Sequence, residues 1–153
     1  MIDKLDSLIE DVSKLKSNLI LLVGLPRSGK SRLLGKLSER RRADVLNVGA
    51  ALGRELLTLT TAQRRLQASQ CLKTLAEDFE RHGLLLMDNL ELLFDQALRL
   101  DPLDLLKRQA HGGRVVVAVW PGECQDGRLA YASSGHPEHR SFGVQSLVPF
   151  EVE

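Results

Sequence analysis

Long apolar runs are missing from this sequence of 153 residues. Its longest uncharged apolar stretches, such as Leu84-Leu85-Leu86-Met87, fall far short of the roughly 18 residues that a membrane helix needs. Residues 1–17 alternate charged and apolar side chains and contain no apolar segment of the kind found in signal peptides. We therefore expect a cytoplasmic protein with no membrane partner.

Cysteine is scarce as well, with two in the whole chain, Cys71 and Cys124. They form neither a C-x-x-C pair nor a disulfide framework, so we expect two free thiols in a reducing compartment. A zinc site built from Cys124, His136 and His139 is disfavoured, because zinc usually takes four protein ligands with closer local spacing.

An excess of charge of either sign is also absent, since 21 basic and 20 acidic residues give a net charge of +1. Basic residues cluster locally at Arg40-Arg41-Arg42, but the overall balance favours only weak or indirect contact with DNA. The apolar fraction of 43% and the charged fraction of 27% are typical of a globular protein. The length predicts a single domain over residues 1–153.

Apolar periodicity predicts alternating strands and helices along the chain. Residues 1–17 repeat an apolar side chain every three or four positions, which predicts an N-terminal amphipathic helix. Strands are predicted at 19–23, 44–48, 84–88, 114–120 and 145–150, and helices at 29–41, 49–57, 61–82, 90–98 and 102–111. Residues 121–143 are predicted to be irregular. The alternation indicates an α/β sandwich with a mostly parallel sheet.

Capping signals predict where two of these helices begin. The helix predicted over 61–82 begins at Thr60-Thr61-Ala62-Gln63, which has the form of a capping box. It is expected to end at His82-Gly83, a typical helix stop. Asp101-Pro102 combines an N-cap with proline at the first helical position. The predicted buried stripe of helix 61–82 consists of Leu66, Cys71, Leu72, Leu75, Ala76 and Phe79.

The octapeptide GLPRSGKS at 24–31 fits the pattern G-x-x-x-x-G-K-[ST] at every fixed position and lies between a predicted strand and a predicted helix. In such a loop, backbone N–H groups and the helix amino terminus hold nucleotide phosphates. Lys30 is expected to reach the β- and γ-phosphates and Ser31 to ligate Mg²⁺. ATP and Mg²⁺ are therefore the predicted cofactors. The predicted nucleotide-binding residues are Gly24, Leu25, Pro26, Arg27, Ser28, Gly29, Lys30, Ser31 and Arg32.

Asp88 ends an apolar strand and matches the hhhhD pattern of a Walker B motif, in which the carboxylate lies in the metal shell. An alternative is that Asp88 caps the following helix, because Asp88-Asn89-Leu90-Glu91 also resembles a capping box. With the loop at 24–31 in the same chain, the metal role is favoured. Ser31 and Asp88 are thus the predicted metal ligands, and Lys30 and Asp88 are predicted to be catalytic.

Asn89 follows Asp88 where many ATPases carry a glutamate that activates the attacking water. An amide can orient a water but cannot accept its proton. Glu91 is the predicted catalytic substitute, although a capping or solvent-facing role fits it equally well. We therefore expect hydrolysis that is slow or that requires a partner.

Other side chains give less specific signals. Trp120 follows a predicted strand where ATPases often place a polar residue that senses the γ-phosphate, and an indole suits that role poorly. Arg108, Arg114 and Arg140 are each compatible with an arginine finger supplied to a neighbouring subunit, and the sequence singles out none of them.

Four stretches together resemble the BrxF family, the small P-loop proteins of type 3 BREX phage-defence systems. They are LVGLPRSGKSRLL, LLLMDNLELLFDQALRLDPLDLL, VVVAVWPG and LAYASSGHPEHRSFG, and the last two are the discriminating ones because they lie outside general P-loop signatures. The resemblance implies ATP binding within a multi-protein complex that restricts foreign DNA, with other BREX proteins as partners. Gly24, Gly29, Lys30, Ser31 and Asp88 match its nucleotide-binding positions.

The fold expected from the motifs and this resemblance is a three-layer P-loop NTPase core of the RecA/AAA+-like kind, without a C-terminal lid domain. A homo-oligomer is an extrapolation from such proteins. Two functions remain open: a slow or partner-stimulated Mg-dependent ATPase, and a non-catalytic module that binds ATP and docks other components. A small-molecule kinase is disfavoured, because the sequence offers neither a second phosphate site nor an arginine-bearing lid.

Overall fold

The structure is a computed structural model that describes residues 1–14, 18–131, 140–143 and 147–153. The helices are α1 (Ile2–Val12), α2 (Lys30–Arg41), α3 (Val48–Leu57), α4 (Thr61–Phe79) and α5 (Pro102–Gln109), with 3₁₀ helices at Leu90–Phe94 and Gln96–Leu98. The strands are β1 (Leu19–Val23), β2 (Val45–Asn47), β3 (Leu84–Asp88), β4 (Val115–Val119), β5 (Glu123–Gln125), β6 (Arg128–Tyr131), β7 (Arg140–Gly143) and β8 (Val148–Glu151).

The main sheet has five strands in the order β2-β3-β4-β1-β8, and all of its pairings are parallel. Every residue of β1 and β4 is buried, as expected for strands covered on both faces. Alternate residues of β1 point to two separate clusters, Leu21 to the one formed with α3, α4 and α5 and Ile20 to the one formed with α1 and α2. The predicted α/β sandwich with a mostly parallel sheet is therefore confirmed.

Helix α1 is shorter than predicted, because it ends at Val12, and residues 15–17 lie outside the described part of the chain. Its stripe of Leu5, Ile9 and Val12 is buried against the sheet and α2. On the outer surface, charged residues of α1 bind the basic run at the end of α2. The contacts are Arg40 Nη1 to Asp3 Oδ1 at 2.8 Å, Arg41 Nε to Asp6 Oδ1 at 2.6 Å and Arg41 Nη2 to Glu10 Oε1 at 3.0 Å.

Helix α4 begins at the predicted capping box, with hydrogen bonds in both directions between Thr60 and Gln63. It ends at Phe79, earlier than predicted, because Glu80 is extended and His82 takes a positive φ of 55° in a tight turn into β3. Its fully buried stripe is Ala68, Leu72 and Ala76.

The prediction that Leu66 lies on this stripe is wrong, since its side chain is 83% exposed. Leu66 precedes Ala68 by two positions, which on a helix of 3.6 residues per turn places it on nearly the opposite face. Phe79 is only half-buried.

The predicted helix over 90–98 is instead two short 3₁₀ helices. Asp95 separates them with an extended backbone, and its carboxylate accepts a hydrogen bond from Ala97 N at 2.9 Å. The apolar side chains that suggested one helix are nevertheless buried, namely Leu90, Leu93, Phe94 and Leu98.

The prediction that residues 121–143 are irregular is wrong for the described part of this segment. Strands β5, β6 and β7 form a small antiparallel sheet. A two-residue turn, Asp126-Gly127, joins β5 to β6 with φ of 51° and 73°, and such Asp-Gly turns with two positive φ values favour tight hairpins. This dipeptide was the sequence signal that the prediction missed.

Smaller differences concern the strands at the edges of the main sheet. Strand β2 covers Val45–Asn47, because Val48 already begins α3 with Asn47 as its N-cap. Strand β8 covers Val148–Glu151 and pairs with β1, whereas residues 144–146 lie outside the described chain. Among the described residues, no helix combines the length and apolar composition that crossing a bilayer requires.

Candidate functional site

The glycine loop lies between β1 and α2, at the carboxyl end of the main sheet. Gly24 begins it with φ of 155°, and a Cβ at this position would lie 2.5 Å from Val152 O and 2.8 Å from Ser28 Oγ. Glycine is therefore required here, because the chain after β8 passes directly against the loop. A turn from Ser28 N to Leu25 O, at 3.1 Å, closes the loop.

Helix α2 differs from α3, α4 and α5 in how its amino terminus is capped. Asn47, Thr60 and Asp101 cap those three helices with side-chain oxygens. The N-cap of α2 is Gly29, which has no side chain to accept a hydrogen bond. The first N–H groups of a helix have no intrahelical partner, so this terminus is suited to an anion.

Lys30 is the first residue of α2, and its ammonium lies beside the loop. Its Nζ donates to Gly24 O at 3.1 Å and to Trp120 O at 3.3 Å. Partial burial lowers the pKa of Lys30, and the nearby carboxylates of Asp88, Glu123 and Glu91 oppose that shift. A half-buried cation, bonded to two backbone carbonyls and influenced by three carboxylates, is thus placed where β1 and β4 end.

Asp88 ends β3, and its Oδ1 accepts a hydrogen bond from Asn89 N at 2.8 Å. Asn89, with φ of 56° and ψ of 58°, is the N-cap of the 3₁₀ helix and makes no side-chain capping bond. The alternative capping box from Asp88 to Glu91 is therefore not formed. The left-handed backbone gives a structural reason for asparagine at 89, since Asn adopts this region more readily than most residues.

A cavity of about 660 Å³ brings all of the predicted catalytic and metal-binding residues together. Its wall includes Pro26, Lys30, Ser31, Asp88, Asn89 and Glu91. Gly24, Ser28 and Gly29 form the loop behind it, and Ser28 Oγ is buried without a hydrogen-bond partner among the described residues. The remaining predicted nucleotide-binding residues, Leu25, Arg27 and Arg32, are exposed outside the cavity wall.

A further part of the cavity wall comes from residues that the sequence did not identify as site residues. Pro121 and Gly122 follow β4, and Glu123 and Gln125 belong to β5. Only a prediction of the β5–β6 hairpin from its Asp-Gly turn would have placed a glutamate at this wall.

Mg²⁺ fits the oxygen donors at this cavity. The hydroxyl of Ser31 and the carboxylate of Asp88 line the same space, and protein-bound Mg²⁺ typically uses one or two such ligands together with water and substrate phosphates. No group of three or more His, Cys, Asp and Glu side chains that could hold a metal occurs in the described part of the chain. His136 and His139, considered for zinc, lie outside it.

The three residues considered as arginine fingers differ in what the structure shows of them. Arg114 is buried, with Nε 2.7 Å from Glu80 Oε1 and Nη1 3.2 Å from Gln109 O, so it is unavailable to a neighbouring subunit. Arg108 is exposed and pairs with Asp104 one turn earlier on α5. The side chain of Arg140 lies outside the described part of the structure.

Comparison with known proteins gives a fold and no family. No family model matches the chain, and no curated protein matches it significantly. Among solved structures, the chain is similar to the structure of C. elegans PCH-2, with a TM-score of 0.52 and 15% sequence identity. The similarity covers 99% of this chain and 42% of the other, so the chain spans less than half the length of that protein. At this identity, what the two chains share is the fold.

Proposed function

We propose that the protein is a P-loop nucleotide-binding protein that binds Mg-ATP in the 660 Å³ cavity. One observation carries the proposal: the amino terminus of α2, which has no side-chain cap, presents Lys30 and Ser31 to the cavity that Asp88 lines from β3. Phosphates need backbone donors, a cation and a metal ligand converging on one space. The fold shared with PCH-2, an AAA+ protein, supports the same interpretation.

Each residue has a defined part in this proposal. The loop N–H groups and the terminus of α2 hold the phosphates, and the Lys30 ammonium neutralises the charge of the β- and γ-phosphates. Two carbonyl acceptors, Gly24 O and Trp120 O, keep that ammonium at the cavity. Ser31 and Asp88 would hold Mg²⁺, which supplies charge stabilisation when bound.

The activity that we propose is slow or partner-stimulated, Mg-dependent ATP hydrolysis. Asn89 provides no proton acceptor directly after Asp88, and its backbone conformation explains why asparagine is present there. The same observation favours the second candidate, a module that binds ATP without turnover and docks other proteins in its bound form.

The biological setting is proposed from the resemblance to the BrxF family. The protein would act in the cytoplasm as one domain over residues 1–153, within a BREX-type anti-phage complex whose other proteins are its partners. Self-association into a homo-oligomer is part of the proposal, and direct DNA contact would be weak. The ion pairs of Arg40 and Arg41 with α1 support this last point, because they already neutralise much of the basic run.

Thermal unfolding with and without saturating Mg-ATP tests nucleotide binding. A ligand of the folded state at about 100 times its Kd adds roughly 2.7 kcal/mol of stability, so the melting temperature of wild type should rise by several degrees. Lys30→Ala should abolish most of that rise, whereas Lys36→Ala, at an exposed position on the same helix, should retain it. A wild type that Mg-ATP does not stabilise would contradict the proposal.

A further inference from the structure

We propose that Glu123, on the first strand of the small antiparallel sheet, accepts the proton of the water that attacks ATP. The sheet β5–β7 is then a wall of the catalytic site. This inference rests on the proposed binding of Mg-ATP. It assigns to Glu123 the role of the carboxylate that many ATPases have directly after the metal-binding aspartate, where this chain has Asn89.

Strand alternation directs Glu123 into the cavity. Glu123 and Gln125 both line it, whereas Cys124 between them packs on the hydrophobic core. Strand β5 pairs with β6 through Glu123 opposite Ala130 and Cys124 opposite Leu129, which is fully buried. Because successive side chains of a strand point to opposite faces, the packing of half-buried Cys124 and buried Leu129 on the core directs Glu123 to the other face, which lines the cavity.

Glu123 lies on the side of the cavity where the lysine is held. The Lys30 ammonium donates to the carbonyl of Trp120, three residues before Glu123. Glu123, with Asp88 and Glu91, is one of the carboxylates whose charge opposes the lowering of the Lys30 pKa. Lys30 is the residue expected to meet the γ-phosphate, so Glu123 lines the part of the cavity where the reaction is expected to occur.

The backbone around Glu123 is fixed by close packing. The indole Nε1 of Trp120 donates to Ala130 O at 3.1 Å. A Cβ on Gly122 would overlap the same carbonyl oxygen, so only glycine lets β5 start this close to β6. The glutamate is therefore carried on a two-stranded support that begins three residues after the lysine contact at Trp120.

An aromatic cluster joins this support to the 3₁₀ helix that follows Asp88. Phe94, at the end of the 3₁₀ helix after Asp88, stacks on Tyr131 of β6 with ring centroids 4.0 Å apart. Trp120 meets Phe94 edge-on at 5.4 Å and Phe142 of β7 at 5.6 Å. The two walls that carry Asp88 and Glu123 thus share one packed core, which favours a constant separation between them.

The chemical step balances with these groups. The water oxygen forms a bond to the γ-phosphorus, and the bond from that phosphorus to the β–γ bridging oxygen breaks. ADP leaves with the bonding electron pair, and the proton of the water passes to the carboxylate of Glu123. Glu123 is exposed at the cavity mouth and can return this proton to solvent.

Single-turnover hydrolysis of Mg-ATP by wild type, Glu123→Gln and Glu91→Gln tests the assignment, with thermal shift used to confirm binding. A general base contributes about 10²- to 10⁴-fold, so Glu123→Gln should lower the rate at least about 10²-fold while the Mg-ATP shift stays within experimental error. Glu91→Gln should lower it by less than about tenfold. Glu77→Gln, which removes an exposed carboxylate from α4, is the matched control and should match wild type.

Each result separates this inference from the proposed function. Hydrolysis by Glu123→Gln at the wild-type rate would overturn the assignment and leave Mg-ATP binding intact. A severe loss in Glu91→Gln alone would move the base to Glu91. A wild type that binds Mg-ATP without hydrolysing it would also overturn the inference, and one that shows no binding would overturn the proposed function itself.

Discussion

The ammonium of Lys30 and the backbone carbonyl of Trp120 are 3.3 Å apart, which joins the glycine loop to the end of β4. The sequence suggested that an indole suits a phosphate-sensing position poorly. The structure gives Trp120 two other contacts: its carbonyl accepts from the lysine, and its indole donates to Ala130 O. One residue therefore links the lysine to the small antiparallel sheet.

Core packing of α4 gives a prediction with an internal control. Leu72→Ala removes a fully buried side chain and should destabilise the protein by about 2–5 kcal/mol. Leu66→Ala on the same helix should stay within about 0.5 kcal/mol, because Leu66 is exposed. Chemical denaturation of the two variants measures both values, and equal losses would show that the burial pattern of α4 is wrong.

The parts of the fold that could be predicted are those with long local signals. The apolar runs of β1, β3 and β4 and the capping box at Thr60 involve neighbouring residues, so the sequence alone identified them. The division of the predicted helix 90–98 into two 3₁₀ helices depends on one extended residue, Asp95. The spacing of apolar residues does not reveal such a change in the backbone. Leu66 was misplaced because it is apolar, although its angular position on the helix excludes it from the core.

The candidate site also contains residues that the sequence predicts and one that it does not. Lys30, Ser31 and Asp88 follow from motifs with fixed spacing, and the structure brings them to one cavity. Glu123 belongs to no motif, since its position depends on a hairpin that folds back against Trp120 from a segment rich in glycine and polar residues. The Asp126-Gly127 turn signals the hairpin itself, but no neighbouring residue signals that the hairpin packs against Trp120.

Binding to DNA should be weak and steeply dependent on salt. Arg40 and Arg41 are held by Asp3, Asp6 and Glu10, so two of the three arginines in this run are already paired with carboxylates and are less able to neutralise phosphates. Asp6→Asn, which removes the carboxylate bonded to Arg41 Nε, should increase the affinity for duplex DNA at low salt. Fluorescence anisotropy over a range of salt concentrations measures this. Sequence-specific binding that survives physiological salt would reveal a recognition surface elsewhere.

Asp88 should be essential for hydrolysis. Asp88→Ala removes the predicted magnesium ligand, and we expect hydrolysis to fall to background while the fold is retained, because Asp88 is only half-buried. Circular dichroism checks the fold, and a titration of Mg²⁺ at fixed ATP checks the metal dependence. Hydrolysis at the wild-type rate in Asp88→Ala would place the metal on other ligands.

Asn89 limits how fast the protein works alone. Because no carboxylate directly follows Asp88, and the proposed base Glu123 is solvent-exposed, the purified protein should hydrolyse ATP well below the roughly 1–10³ s⁻¹ typical of enzymes. Asn89→Glu should raise this rate by adding a proton acceptor beside the predicted metal ligand. The change has a structural cost, since Asn89 is left-handed and a glutamate there should lose about 1–2 kcal/mol of stability.

The double variant Glu123→Gln/Asn89→Glu tests whether a carboxylate at residue 89 can replace the one at residue 123. If both positions can supply a base to the same water, a glutamate at 89 should restore at least part of the hydrolysis that Glu123→Gln loses. Asn89→Asp is the control, because a shorter carboxylate tolerates the left-handed backbone better but extends less far into the cavity. Steady-state phosphate release measures all of these variants. A double variant as slow as Glu123→Gln would show that residue 89 cannot reach the attacking water, whatever side chain it carries.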